Sequence, residues 1–353
     1  MSLPPIRLFM VDDSAFMRQL ISKALENDKH IQIVGRARNG QEALARIPLV
    51  KPHVVTMDVE MPVMDGLETL AKLMESNPLP VVMLSSLTTE GAETTLKALE
   101  LGAVDFIPKP RKKEDFAGLA QDMTAKIRLA ATVSVRAKRP LPLDSALSSP
   151  DFSVSKTSIT SGEFEAVVIG TSTGGPSALQ KVVPRLPRDF PAAVLIVQHM
   201  PKGFTRALAE RLNQMSQLSI KEAENGDPVA SGRVLVAPAG KQMYLERRQG
   251  ITRIRLSDEA SVPTLFKPSF DVTLLSTADI FGKKTMGVIM TGMGNDGVRG
   301  LRKIEELGGK NLAEAEQTCV VFGMPKAAIQ AGVIHEVQPV EYLAHRIFSI
   351  VKK

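Results

Sequence analysis

The sequence predicts an α/β protein built of two doubly wound domains, each a parallel sheet covered by helices on both faces. Three observations predict it. Short, almost continuously apolar runs alternate with amphipathic segments over residues 6–107, as strands buried on both faces require. A second series of the same kind begins at residue 164. Between the two lies RAKRPLPLDSALSSPDFSVSKTSITSGEF (136–164), rich in Ser and Pro and without helical periodicity, which reads as a tether. The expected boundaries are 1–125 for the first domain, 126–163 for a flexible linker and 164–353 for the second domain. A chain of 353 residues gives each half enough length to bury its own core.

In the first half the strands are IRLFMV (6–11), VVTM (54–57), PVVML (80–84) and AVDFI (103–107), and the clearest helices are AFMRQLISKALEN (15–27) and LETLAKLMES (67–76). Chemistry in parallel sheets gathers beyond the C-terminal ends of the strands. Those ends carry Asp12 and Asp13, then Asp58, then Ser85 and Ser86, then Lys109. Three carboxylates on one edge repel each other unless a cation joins them, and a hard, oxygen-rich site suits Mg²⁺. A lysine and a hydroxyl beside them can hold the remaining oxygens of a phosphoryl group, so such a site could take phosphate onto Asp58. Any one aspartate alone could be a helix cap; the set of strand-end positions argues for a site.

In the second half the strands fall near 166–169, 193–198, 233–236 and 285–291. The first runs through AVVIGTSTGGPSAL (166–179) into a glycine loop and a helix. That layout serves an anion at a helix N-terminus or a serine on a strand–turn–helix elbow. GTSTG fits G-x-S-x-G and fits G-x-G-x-x-G poorly. A serine needs a base to attack. Of five histidines, only His199, in AVLIVQHMPKGF (193–204), closes a buried strand of this half. Adjacent parallel strands lie about 4.8 Å apart, so Ser172 and His199 can meet. GKKTMGVIMTGMGNDG (282–297) offers Asp296 at the same edge to orient the imidazole, with Asp271 and Asp279 of FDVTLLSTADIF (270–281) as rivals from a preceding helix. The chain order Ser, His, Asp differs from that of α/β-hydrolases, so the elbow does not assign that fold. The amides of Thr173 and Met293 are candidates for an oxyanion hole.

Composition narrows the classes. No apolar run reaches the roughly 18 residues of a membrane span, and the first residues lack a signal-peptide layout. The single cysteine, Cys319, fits a reducing compartment and reads as a core residue. The excess of 44 Lys+Arg over 38 Asp+Glu lies beyond residue 130, because residues 1–130 hold 16 basic and 17 acidic side chains. Few aromatics and no helix-turn-helix pattern argue against nucleic acid; a basic surface that steers an acidic protein partner fits better. A nucleotide-binding module without hydrolysis would need an acidic residue about 20 positions after the glycine loop, and Asp189 comes before the strand end where it would act. A DNA-binding regulator predicts a helical second half, against the strands seen there.

Two resemblances follow from these motifs. Residues 5–125 resemble the receiver domain of two-component response regulators: the acid pair Asp12 and Asp13, the phosphoacceptor Asp58 in MDVEMPVMDG, Ser85, the switch aromatic Phe106, and Lys109 of the KP pair. The resemblance implies Mg²⁺ held by this acidic cluster, with Asp13, Asp58 and the backbone carbonyl of Glu60 as ligands. GTSTGGPSAL, VQHMPKGFTRALAERLN, TGMGNDG and CVVFGMP, in that order, resemble the catalytic domain of the chemotaxis protein-glutamate methylesterases, the CheB family. Together these imply a flavodoxin-like receiver and a Rossmann-like methylesterase domain, with Ser172, His199 and Asp296 on the triad. They further imply hydrolysis of glutamyl methyl esters, and deamidation of glutamines, on cytoplasmic helices of methyl-accepting chemotaxis receptors. The expected protein is a cytoplasmic monomer that takes phosphate from the pathway's histidine kinase, needs no cofactor for ester hydrolysis and does not insert into membranes. Its unphosphorylated receiver is expected to pack on the catalytic edge.

Overall fold

Short side-chain caps start the first helices and so set where each strand hands over to its crossover. Ser14, Asn39, Asp65 and Thr88 accept from the amides of Met17, Glu42, Glu68 and Gly91. The computed structural model describes residues 4–110, 116–133 and 164–352. Its first unit runs β1 (Ile6–Val11), α1 (Ala15–Leu25), β2 (Ile31–Ala37), α2 (Gly40–Val50), β3 (Val54–Asp58), α3 (Gly66–Ser76), β4 (Val81–Ser85), α4 (Thr89–Leu101), β5 (Asp105–Pro108) and α5 (Phe116–Ala130). The strands pair in parallel in the order β2-β1-β3-β4-β5. The order reverses between β1 and β3, which sets Asp12 and Asp13 beside Asp58. β2 is absent from the apolar runs because this edge strand keeps Gln32, Gly35 and Arg36. α5 continues past residue 125 to Ala130, and most of the tether expected over 126–163 lies outside the described residues.

The second unit contains β6 (Ala166–Thr171), α6 (Gly175–Val182), β7 (Ala193–Gln198), α7 (Phe204–Met215), β8 (Ser219–Glu222), β9 (Arg233–Val236), β10 (Gln242–Arg248), β11 (Ile251–Ser257) and α8 (Phe270–Phe281). It continues with β12 (Thr285–Ile289), α9 (Val298–Glu306), β13 (Lys310–Glu314), α10 (Met324–Gln330), β14 (Glu336–Gln338) and α11 (Val340–Val351). Its parallel sheet has the order β14-β13-β12-β6-β7-β9-β8. β6, fully buried, lies between β7 and β12, so the chain again reverses direction across the sheet beside the first strand. Two features differ from expectation. β10 and β11 form a separate antiparallel hairpin, and Cys319, read as core, is only partly buried beside a 3₁₀ turn.

The two units touch directly. α4 packs along α6 and α7, and Glu100 takes two hydrogen bonds from Arg211 at 2.9 and 3.0 Å. Ser177 Oγ donates to the carbonyl of Leu99 at 2.9 Å. The Phe106 ring lies 4.4 Å from that of Phe204, centroid to centroid. No described helix is long and apolar enough to cross a membrane.

Candidate active site and receiver site

β6 and β7 end side by side, with Thr171 opposite Gln198, so the next residues, Ser172 and His199, leave the sheet at one edge. β12 ends on the other side of β6 and delivers the turn that carries Asp296. Gly292 in that turn lets the segments close: a Cβ there would lie 2.8 Å from the Cβ of Ser172, which no side chain tolerates. Asp296 is 5% exposed and its Oδ2 meets His199 Nε2 at 2.8 Å. Three further donors satisfy it: Ser269 Oγ at 2.9 Å, the Phe270 amide at 2.7 Å and the Asp271 amide at 3.0 Å. These amides open α8, whose N-terminal dipole favours the anion. Burial pushes the Asp296 carboxyl up, but the hydrogen bond and charge of His199, with the two amides, hold it below its ordinary value. Of its rivals, Asp271 contributes through its amide, while its carboxylate accepts from Gly300 N at the start of α9.

The imidazole of His199 stacks on Phe266, with ring centroids 4.1 Å apart and planes 2° from parallel. With Nε2 donating to Asp296, Nδ1 is the basic nitrogen. It is buried and has no hydrogen-bond partner, so the serine–histidine bond expected from strand adjacency is not made in this conformation. Such bonds commonly tighten only when substrate is bound. The amides of Thr173 and Met293 donate to no other described residue, and both residues border the space above Ser172.

That space is a cavity of about 260 Å³ roofed by the first unit; Asp105, Phe106 and Lys126 line it together with Ser172, His199 and Met293. Thr173 Oγ1 donates to Asp105 Oδ2 at 2.6 Å, a buried bond next to the serine. Lys126 holds the same carboxylate at 3.4 Å and the Phe106 carbonyl at 2.5 Å.

In the first unit, Asp12, Asp13 and Asp58 each offer an oxygen, all within 4.8 Å of one another. Lys109 Nζ donates to Asp58 Oδ2 at 2.5 Å and lies 3.7 Å from Asp12 Oδ2. Burial pushes the Asp58 carboxyl up to about 6 against the pull of Lys109, and it raises Asp12 as well. Asp12 Oδ2 is buried and accepts no hydrogen bond. An unsatisfied buried oxygen within a hard oxygen cluster fits Mg²⁺. The amide of Glu60 reaches Asp58 Oδ1 at 3.4 Å, so that peptide borders the cluster. Ser85 is turned away from it: its hydroxyl pairs with Thr95 Oγ1 at 2.5 Å. Phe106, 3% exposed, faces the second unit.

Sequence reasoning missed Phe266 and Ser269, which lie in a stretch without periodicity, the role of the amides that open the helix over 270–281, and Gln198, whose only signal is its place before His199.

Known proteins are similar along the whole chain. The family model described as CheB methylesterase matches residues 167–347, and that of the response regulator receiver domain matches residues 8–121. A protein-glutamate methylesterase/protein-glutamine glutaminase of Bacillus subtilis is 46% identical over 358 residues, covering 99% of each chain. One from Moorella thermoacetica is 42% identical over 417 residues, covering 98% of each. The crystal structure of the Thermotoga maritima CheB methylesterase catalytic domain, 42% identical, aligns with a TM-score of 0.52 over 53% of this chain and 99% of that one. With its carboxylate cluster in front and its serine elbow behind, the chain belongs to the receiver-containing CheB family of protein-glutamate methylesterases/protein-glutamine glutaminases.

Proposed function

We propose that this protein hydrolyses glutamyl methyl esters, and deamidates glutamines, on the cytoplasmic helices of methyl-accepting chemotaxis receptors, with Ser172, His199 and Asp296 as nucleophile, base and orienting acid. The observation that carries the reading is the 2.8 Å His199–Asp296 bond at the sheet edge where Ser172 emerges. Ser172 Oγ attacks the ester carbonyl carbon as its proton passes to His199 Nδ1. The amides of Thr173 and Met293 stabilise the oxyanion. His199 returns the proton to the leaving methoxide, or to the leaving amine of a glutamine. Water then attacks the acyl-serine, His199 takes its proton, and Ser172 is restored as the glutamate carboxylate departs. Asp296 stays ionised throughout and stabilises the imidazolium.

The receiver regulates access. A helix with side chains is about 10–12 Å across, and a cavity of about 260 Å³ does not admit one. Asp12, Asp13, Asp58 and the Glu60 carbonyl would hold Mg²⁺, whose charge would offset that of the carboxylates and an incoming phosphoryl group. The pathway's histidine kinase supplies the phosphoryl group to Asp58. Ser85 then leaves Thr95 for the new oxygens and Lys109 holds them, and the receiver shifts away from α6 and α7. The protein acts in the cytoplasm as a monomer and needs no cofactor for the ester chemistry.

The test is methanol release from methylated receptor membranes with and without acetyl phosphate and Mg²⁺. The phosphodonor should raise the rate at least tenfold, which needs about 1.4 kcal/mol of bias toward the open state. Asp58→Asn should keep the basal rate and lose the response; a full response in that variant would remove Asp58 from its role.

A further inference from the structure

A side-chain amide joins the two strand ends that deliver nucleophile and base. Gln198, the last residue of β7, is 1% exposed. Its Nε2 donates to the carbonyl of Ser172 at 2.8 Å and to that of His199 at 3.0 Å. Its Oε1 accepts from the hydroxyl of Thr171 at 2.6 Å. The regular ladder ends here: the His199 amide donates to the Thr171 carbonyl at 3.0 Å, and beyond that bond no strand pairing fixes the two segments relative to each other.

We propose that Gln198 is a positioning residue, its amide clamping Ser172 to His199. The proposal rests on the reading of those two residues as nucleophile and base. An amide has two N–H donors, and both are spent, one on each segment. The two carbonyls fix which way the amide faces, and the Thr171 hydroxyl anchors its oxygen. The flipped amide would aim its oxygen at two carbonyl oxygens, and no proton would separate them. The space is cut for this side chain, since a Cβ on Gly175 would sit 2.0 Å from Gln198 Oε1. Thr291 completes the hold on the elbow: its carbonyl accepts from Ser172 N at 3.0 Å and its hydroxyl donates to the Thr173 carbonyl at 2.9 Å. With those groups fixed, the Thr173 amide is left for the oxyanion.

A clamp of this kind acts on the chemical step. A displacement of about 1 Å in a reacting group costs on the order of 10²-fold in rate. The test uses the full chain, methylated receptor membranes and a saturating phosphodonor, with a fluorophosphonate to count competent serines at the labelling end point. Gln198→Met keeps length and apolar bulk but loses all three hydrogen bonds. Its kcat per labelled serine should fall about 10²-fold, with KM within twofold of the parent. Thr171→Val should lose about tenfold by removing the hydrogen bond that anchors Gln198 Oε1, and Thr171→Ser should restore the rate to within about threefold. A Gln198→Met enzyme with a parental kcat overturns the proposal. So does a loss that only tracks the labelled fraction, because that is a folding effect. If Gln198→Met does not fold, the Thr171→Val and Thr171→Ser pair decides: equal rates in both overturn the clamp. Ser172→Ala separates the two layers. An active Ser172→Ala refutes the nucleophile itself, whereas an inactive Ser172→Ala beside a parental Gln198→Met refutes only the clamp.

Discussion

Replacing Asp105 by alanine should activate the unphosphorylated protein on receptors. Its Oδ2 accepts from Thr173 Oγ1 at 2.6 Å in a buried contact across the two units. Its other oxygen serves the receiver itself, taking the Phe106 amide at 2.7 Å and Lys126 at 3.4 Å; those bonds persist when the units part and cancel from the difference. What the substitution changes between closed and open states is the Thr173 bond, plus a threonine hydroxyl left in the closed interface without its acceptor. A hydrogen bond to a charged group contributes about 1.5–3 kcal/mol. Each 1.4 kcal/mol is about tenfold in an equilibrium, so the open population should rise by roughly 10- to 100-fold until opening saturates. The assay compares basal methanol release from methylated receptor membranes by Asp105→Ala and parent at equal concentration. Hydrolysis of a small neutral ester, which needs no receptor helix to enter, serves as the control and should change far less. A basal rate within twofold of the parent, with phosphodonor stimulation intact, would refute the idea that this contact holds the site closed.

Activity on intact receptors should fall as salt rises, because the basic excess beyond residue 130 acts over a screening length of about 10 Å at 0.1 M; small-ester hydrolysis should barely respond, and equal salt dependence of both would remove the steering argument. His199→Ala should lower turnover by roughly 10⁴- to 10⁶-fold, and Asp296→Asn by somewhat less, as measured by single-turnover methanol release; near-parental activity in either variant contradicts the assigned role. Burial pushes the Asp271 carboxyl up to about 6 from 3.8. The folded state therefore binds this proton more tightly than the unfolded chain, and the group's contribution becomes less stabilising as pH rises from about 4 to 6. Asp271→Asn should show a larger gain in thermal midpoint over the parent at pH 7.5 than at pH 5, and the reverse order would contradict the sign.

The strand-end residues were legible because position and chemistry coincide: a parallel sheet exposes its C-terminal edge, so Asp12, Asp58, Lys109, Ser172 and His199 could be read from where apolar runs stop. Asp296 was legible through its glycine turn, and Asp271 and Asp279 read as less able to reach from a preceding helix. That the N-terminus of that helix arrives beside the turn and gives its amides to Asp296 is a tertiary fact with no local pattern. Phe266 and Ser269 precede α8 in a loop, and their contacts with His199 and Asp296 likewise come from packing. β8 and β14 are short and lie at the sheet edges, so their apolar signal is weak. The β10–β11 hairpin turns through Gln249 and Gly250, both at positive φ as a two-residue turn requires; the glycine was its one signal in the sequence, and the arginines of both strands masked it. The rotation of Ser85 toward Thr95 and the open His199 Nδ1 are conformational, and no sequence pattern encodes them.

The most direct test is methanol release from methylated receptor membranes by Ser172→Ala beside the parent, both with acetyl phosphate and Mg²⁺ in excess. With the proposed nucleophile removed and the fold intact, turnover should fall by roughly 10⁴- to 10⁶-fold, and no labelled acyl or phosphonyl group should attach to the protein at this position. A Ser172→Ala protein that keeps a tenth or more of the parental rate would contradict the account, because Ser172 is the serine that the end of β6 delivers beside His199.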